Sequence, residues 1–92
     1  MSPDAAAAVA LQALGWIVGE EDLRQVFLGA SGATLESLRA GAADAELQAA
    51  VLDFLLMDDA WVMRFCDDHG LPYDAPSRAL ASLPGQALPH WT

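Results

Sequence analysis

The chain has no lysine, a single cysteine and only four cations, all arginine: Arg24, Arg39, Arg64 and Arg78. Against these stand 13 acids, for a formal net charge of −9. A chain so poor in positive charge cannot lay down the basic stripe that grips a phosphate backbone by counterion release, so no nucleic-acid partner is expected. The same shortage argues against electrostatic attachment to an anionic membrane. With Cys66 alone, an internal disulfide and a cysteine-rich zinc site are both excluded, and a reducing cytoplasmic setting is expected. No apolar run reaches the roughly 20 residues of a membrane helix, because the stretch from Ala5 to Gly19 is shorter and contains Gln12. Only Ser2, Pro3 and Asp4 precede that stretch inside Met1, which is not the cationic lead of a signal peptide. β-Branched residues are sparse and never alternate with polar ones, so strands are not expected.

What the chain does hold is apolar mass. Its 92 residues are 54% hydrophobic, with a mean hydropathy of +0.28. A domain this small has much surface for its volume, so part of that apolar content must stay outside or meet a partner.

The apolar pattern occurs twice, 38 residues apart. Leu14, Trp16-Ile17-Val18, Glu20-Glu21, Leu23, Phe27, Gly32 and Leu35 are echoed by Leu52, Phe54-Leu55-Leu56, Asp58-Asp59, Trp61, Phe65, Gly70 and Tyr73. Each copy reads as an apolar helix end, an acidic pair, an amphipathic helix with Phe inside it, and a Gly stop.

Capping signals mark the helices. Ser2 with Pro3 opens helix 1, which runs to Val18 with Gly19 as a left-handed stop. Glu20, Glu21 and Asp22 open helix 2, which ends near Ala30. Thr34 opens a short helix 3 to about Ala42, Asp44 opens helix 4 to Met57, and Asp58 opens helix 5, stopped by Gly70 and Pro72. Asp74 with Pro76 opens a last helix that ends before Pro84. The expected fold is all-α: a compact bundle of five to six helices over 1–83, with 84–92 as an irregular tail. The echo allows two similar three-helix units, about 10–42 and 48–80. Helices 1 and 4 have the widest apolar arcs and should be central. Only Asp4, Ala8, Gln12 and Gly15 are left for water on helix 1, and only Glu46, Ala49 and Asp53 on helix 4.

Few residues suggest chemistry. Asp67, Asp68 and His69 close helix 5, where the dipole disfavours carboxylates. They read as a solvated end, with His69 capping the last carbonyls and Arg64 reaching Asp67 or Asp68, or as a patch for a basic partner or a weak metal site. Arg39, closing helix 3, reads as a helix-end cap paired with Glu36 or Asp44, or as a fork for a carboxylate or phosphate. Cys66 reads as core, since neighbouring Asp67 and Asp68 oppose a reactive thiolate. Trp61, Met63, Leu88 and Trp91 are candidates for an interface. No nucleophile with an adjacent base, no glycine-rich phosphate loop and no calcium-loop spacing occurs, so neither catalysis, a metal nor a cofactor is expected.

Leu11, Leu14-Gly15-Trp16, Phe27-Leu28, Gly32, Leu38-Arg39, Val51-Leu52-Asp53-Phe54-Leu55 and Phe65 together resemble a small bacterial family known as domain of unknown function number 3572. The resemblance spans about residues 8 to 80. It implies a small bacterial cytoplasmic protein and assigns no activity, cofactor or binding residue.

Three functions fit these observations. The first is an acidic protein-interaction module that self-associates as a homodimer or docks on a protein partner through an apolar patch. The second is a small-ligand-binding or regulatory domain anchored by Arg39, which a pocket holding Arg39 and two aromatics would favour. The third is an acidic mimic of nucleic acid, needing carboxylates spread at phosphate-like spacing over one convex face.

Overall fold

The computed structural model describes residues 1–84, and within them the chain forms six helices and no strand. They are α1 (Pro3–Gly19), α2 (Glu21–Ser31), α3 (Leu35–Ala40), α4 (Ala45–Leu55), α5 (Asp59–His69) and α6 (Ala75–Ser82). The fold is an all-α bundle.

Local chemistry sets most of the boundaries. Ser2 accepts from the Ala5 N–H ahead of Pro3 in the first turn of α1. Thr34 and Ser37 form a reciprocal capping box at α3. Asp44 and Asp58 accept from the N–H groups of Glu46 and Ala60 at α4 and α5. Asp74 precedes α6, but its side chain makes no capping bond; Pro76 in the first turn removes one of the N–H groups that would need one. Gly32 and Gly70 close α2 and α5 in the left-handed conformation, at φ 71° and 65°. Gly19, expected to do the same for α1, does not: α1 includes it, and Glu20 caps the helix with extended backbone, its N–H bonded to Ile17 and Trp16. Helices 3 and 4 stop earlier than expected, at Ala40 and Leu55, because turns at 41–43 and 56–57 carry the chain onward.

Helices α1 and α4 lie at the centre. Six of the 11 residues of α4 are buried: Gln48, Ala49, Val51, Leu52, Phe54 and Leu55. Helix α1 carries α2, α4 and α6 against it and buries Ala6, Val9, Ala10, Ala13, Trp16 and Ile17. Ala6, Ala10 and Ala13 face inward, and α6, packed along α1, buries Ala75, Pro76 and Ala79; small side chains on both helices let the backbones approach. Several residues of the expected apolar arcs lie elsewhere. Leu11 is exposed, and Leu14 and Val18 are only half-buried. Ala49, assigned to water, is buried. Gln48 is buried too, with its amide donating to the Ala42 carbonyl at 2.9 Å, which satisfies it.

The 38-residue echo coincides with real elements. Helices α2 and α5 are 11 residues each, and Glu21 and Ser31 lie 38 before Asp59 and His69. Phe27 and Phe65 are both buried. The third helices of the two halves differ in length and phase, since Pro72 and Pro76 delay the start of α6.

Candidate functional site

Two surface grooves expose apolar side chains. The larger, about 520 Å³, runs between α2 and α4 and is lined by Phe27, Ala30, Ser31, Ala50, Asp53, Phe54 and Met57. Phe27 and Phe54 are buried, meeting edge to face at 5.0 Å, and they form its floor. Trp61 stacks on Phe54, also at 5.0 Å, at the margin of the same aromatic group. Met57 stands 76% exposed at the lip, just past the end of α4. The one ionisable side chain among the lining residues is Asp53.

The echo explains why this groove is open. Thirty-eight residues from Ala30, Ser31 and Phe54 stand Asp68, His69 and Trp16. There the larger side chains fill the space: the Trp16 indole N–H donates to Asp68 at 2.8 Å, and His69 lies against Phe65 with ring centres 4.8 Å apart. Ala30 and Ser31 are too short to do the same over Phe27 and Phe54, so a groove stays open between α2 and α4 where the equivalent place between α1 and α5 is closed.

The smaller groove, about 290 Å³, lies between α1 and α3 and is lined by Leu11, Leu14, Gly15, Val18, Leu35, Leu38 and Arg39. Arg39 makes no ion pair or hydrogen bond among the described residues, so the expected pairing with Glu36 or Asp44 does not form. Asp44 is occupied with the N-terminus of α4 instead. The groove contains no aromatic side chain, and the aromatic groove does not contain Arg39. The combination that would favour a small-ligand pocket is therefore split between two places.

The acidic end of α5 has internal bonding. Asp68 holds Trp16, and Asp67 accepts the Tyr73 hydroxyl at 2.8 Å. Arg64 pairs with Glu20 across to the start of α2, not with Asp67 or Asp68, and its guanidinium lies 5.4 Å over the Trp16 ring. The cap at α5 comes from backbone, with Gly70 and Leu71 N–H groups on the Cys66 carbonyl, rather than from His69. Among the described residues no three His, Cys, Asp or Glu side chains gather as metal ligands.

Cys66 is buried in the core, and burial, followed by the charges of Asp67 and Asp74, pushes its thiol above the ordinary value of 9.0. The hydrogen bond to Asp67 is the main cause that raises the Tyr73 hydroxyl.

Of the interface candidates, Trp61 is half-buried and Met63 exposed. Two residues apart on α5, they project from opposite flanks of its buried face (Val62, Phe65, Cys66) and do not form one patch. Leu88 and Trp91 lie outside the described residues. Sequence inspection missed Phe27, Ala30 and Met57 as groove residues and Gly15 as part of the smaller groove. The one available signal was the mismatch within the echo, Ala30-Ser31 against Asp68-His69.

A family model described as "Protein of unknown function (DUF3572)" matches residues 3–86. No curated protein and no solved structure matches the chain. No helix of the described residues is long and apolar enough to cross a membrane.

Proposed function

The chain belongs to the DUF3572 family, and we propose that it acts as a small acidic protein-interaction module of the bacterial cytoplasm. It docks an apolar segment of a partner protein in the groove between α2 and α4. The observation that carries this is the composition of the groove: an aromatic floor of Phe27 and Phe54 with Met57 76% exposed above it. Buried aromatic anchors surrounded by adaptable thioether are the usual chemistry of a recognition surface. A monomer gains nothing from leaving a methionine so far in water.

The charge suggests the partner. Asp53 is the ionisable group of the groove, and the whole chain carries −9. A partner segment with apolar side chains flanked by Lys or Arg would be steered towards the groove and would meet Asp53 at its edge.

A photo-crosslinking side chain placed at position 57 of the full chain, in the source organism, tests this. It should capture one defined protein, with Ala30→Arg abolishing capture while helicity and melting temperature persist. Capture no different from that of the same probe placed at Arg78 would refute it.

A further inference from the structure

We propose that the chain also self-associates, laying the outer stripe of α1 with α3 against the same stripe of a second copy, with Gly15 beneath the crossing. This goes beyond the partner groove, with which it shares no residue, and would present that groove twice per particle.

The first observation is the groove itself, which needs a cover. Leu11 and Leu35 are 43% and 45% exposed, on either side of half-buried Leu14 and Val18. The second is Gly15. It sits inside a 17-residue helix, where glycine is disfavoured by its backbone entropy. A Cβ built there would meet no atom within 4 Å. Nothing in the monomer requires the missing side chain, whereas a helix crossing at that point would. Gly29 in α2 is equally open but lines no groove, which makes it a control.

The third observation is charge, and it selects a second copy as the occupant. Two molecules of −9 repel, so they can meet only on a face that carries little of that charge. Asp4 is the one ionisable side chain in all of α1. Beside it the groove presents Arg39, which has no partner among the described residues, with Glu36 next to it on α3. Across a two-fold axis the Arg39 of one copy can meet the Glu36 of the other, neither being ion-paired within its own chain among the described residues. A two-fold contact of this kind uses one self-complementary patch twice. A small ligand fits less well, since the lining offers it one charged group and no converging set of polar ones.

Sedimentation equilibrium on the full chain tests the proposal, from about 5 to about 500 μM protein and about 50 to 500 mM salt. The expected result is a monomer–dimer equilibrium that shifts to dimer as salt screens the repulsion. Gly15→Leu should raise the dimer Kd at least about tenfold with the fold intact, while Gly29→Leu leaves it unchanged. Arg39→Glu should raise Kd more than Arg78→Glu, which makes the same change in net charge on α6. A monomer over the whole range overturns the proposal, and so does a dimer on which Gly15→Leu and Gly29→Leu act alike. If Gly15→Leu unfolds the chain, Leu11→Gln is judged by the same criterion. Crosslinking at position 57 is read separately, so an unmodified chain that stays monomeric while capture is retained refutes this proposal and leaves the partner groove standing.

Discussion

Trp16 and Phe65 meet edge to face with ring centres 5.9 Å apart and planes inclined by 63°. Phe54 and Phe27 meet at 5.0 Å with the same 63° inclination. Position 54 is 38 beyond 16, and 65 is 38 beyond 27. The aromatic on the first helix of each half therefore packs on the second helix of the other half. The two halves interlock through these two pairs.

Phe65→Ala should accordingly cost about 3–5 kcal/mol, since the ring is fully buried. A double-mutant cycle with Trp16→Leu and Phe65→Leu should yield a coupling of about 0.5–1.5 kcal/mol. A fragment of residues 1–42 should show little helix by circular dichroism. A cooperatively folded fragment would contradict the interlocked arrangement.

Leu52 and Leu14 are 38 apart but not equally buried. Leu52→Ala should cost about 2–5 kcal/mol, and Leu14→Ala clearly less, because Leu14 is half-buried in the α1–α3 groove. Urea titrations of the two variants give the comparison directly. Equal losses would mean that Leu14 is covered more completely than its position implies.

Asp68 should tune the environment of Trp16. Asp68→Ala leaves the indole N–H without its acceptor and should cost about 1 kcal/mol, whereas Asp68→Asn keeps an acceptor and loses less. Because Trp61 and Trp91 also emit, the shift in tryptophan fluorescence is best read in a background with both Trp61→Phe and Trp91→Phe. No difference between Ala and Asn would show that the bond contributes nothing.

Glycines of different geometry should respond with opposite signs. Gly15→Ala and Gly29→Ala, each in an ordinary helical conformation with open space around it, should stabilise the monomer by about 0.5–1 kcal/mol. Gly32→Ala and Gly70→Ala, both at positive φ, should destabilise by about 1–2 kcal/mol. Thermal melts at low protein concentration keep any association out of the measurement.

Stability should fall in alkali. The folded-state value of the Cys66 thiol lies above its ordinary 9.0, chiefly through burial. Above that ordinary value the unfolded chain loses the thiol proton while the folded chain keeps it, so rising pH favours unfolding. The contribution of the thiol is complete below 9.0 and disappears as pH rises through the folded value. Raised Tyr73 acts in the same direction. Cys66→Ala should flatten the decline, and alkylation of Cys66 should proceed only as fast as the chain opens.

Much of this architecture is local and therefore legible in the residues alone. Ser2, Thr34, Asp44 and Asp58 cap helices because a short oxygen acceptor reaches the free N–H groups of the next turn. Gly32 and Gly70 stop helices because only glycine takes a left-handed turn without strain. The all-helical class and the inward course of α1 and α4 follow from such signals and from apolar periodicity. Tertiary structure decided what periodicity leaves open. A helical wheel reports which arc is apolar, but not how much of that arc the neighbours cover; hence Leu11 and Leu14 emerged on a groove and Ala49 went under. It decided the partners of the charged groups as well, giving Arg64 to Glu20 and Asp68 to Trp16, pairings 44 and 52 residues apart. Both grooves belong to this second class, because a groove is made by side chains that are absent: by Ala30 and Ser31 where the other half has Asp68 and His69, and by Gly15 where nothing fills the space above the helix. Absence acquires a shape only once the surrounding helices are in place.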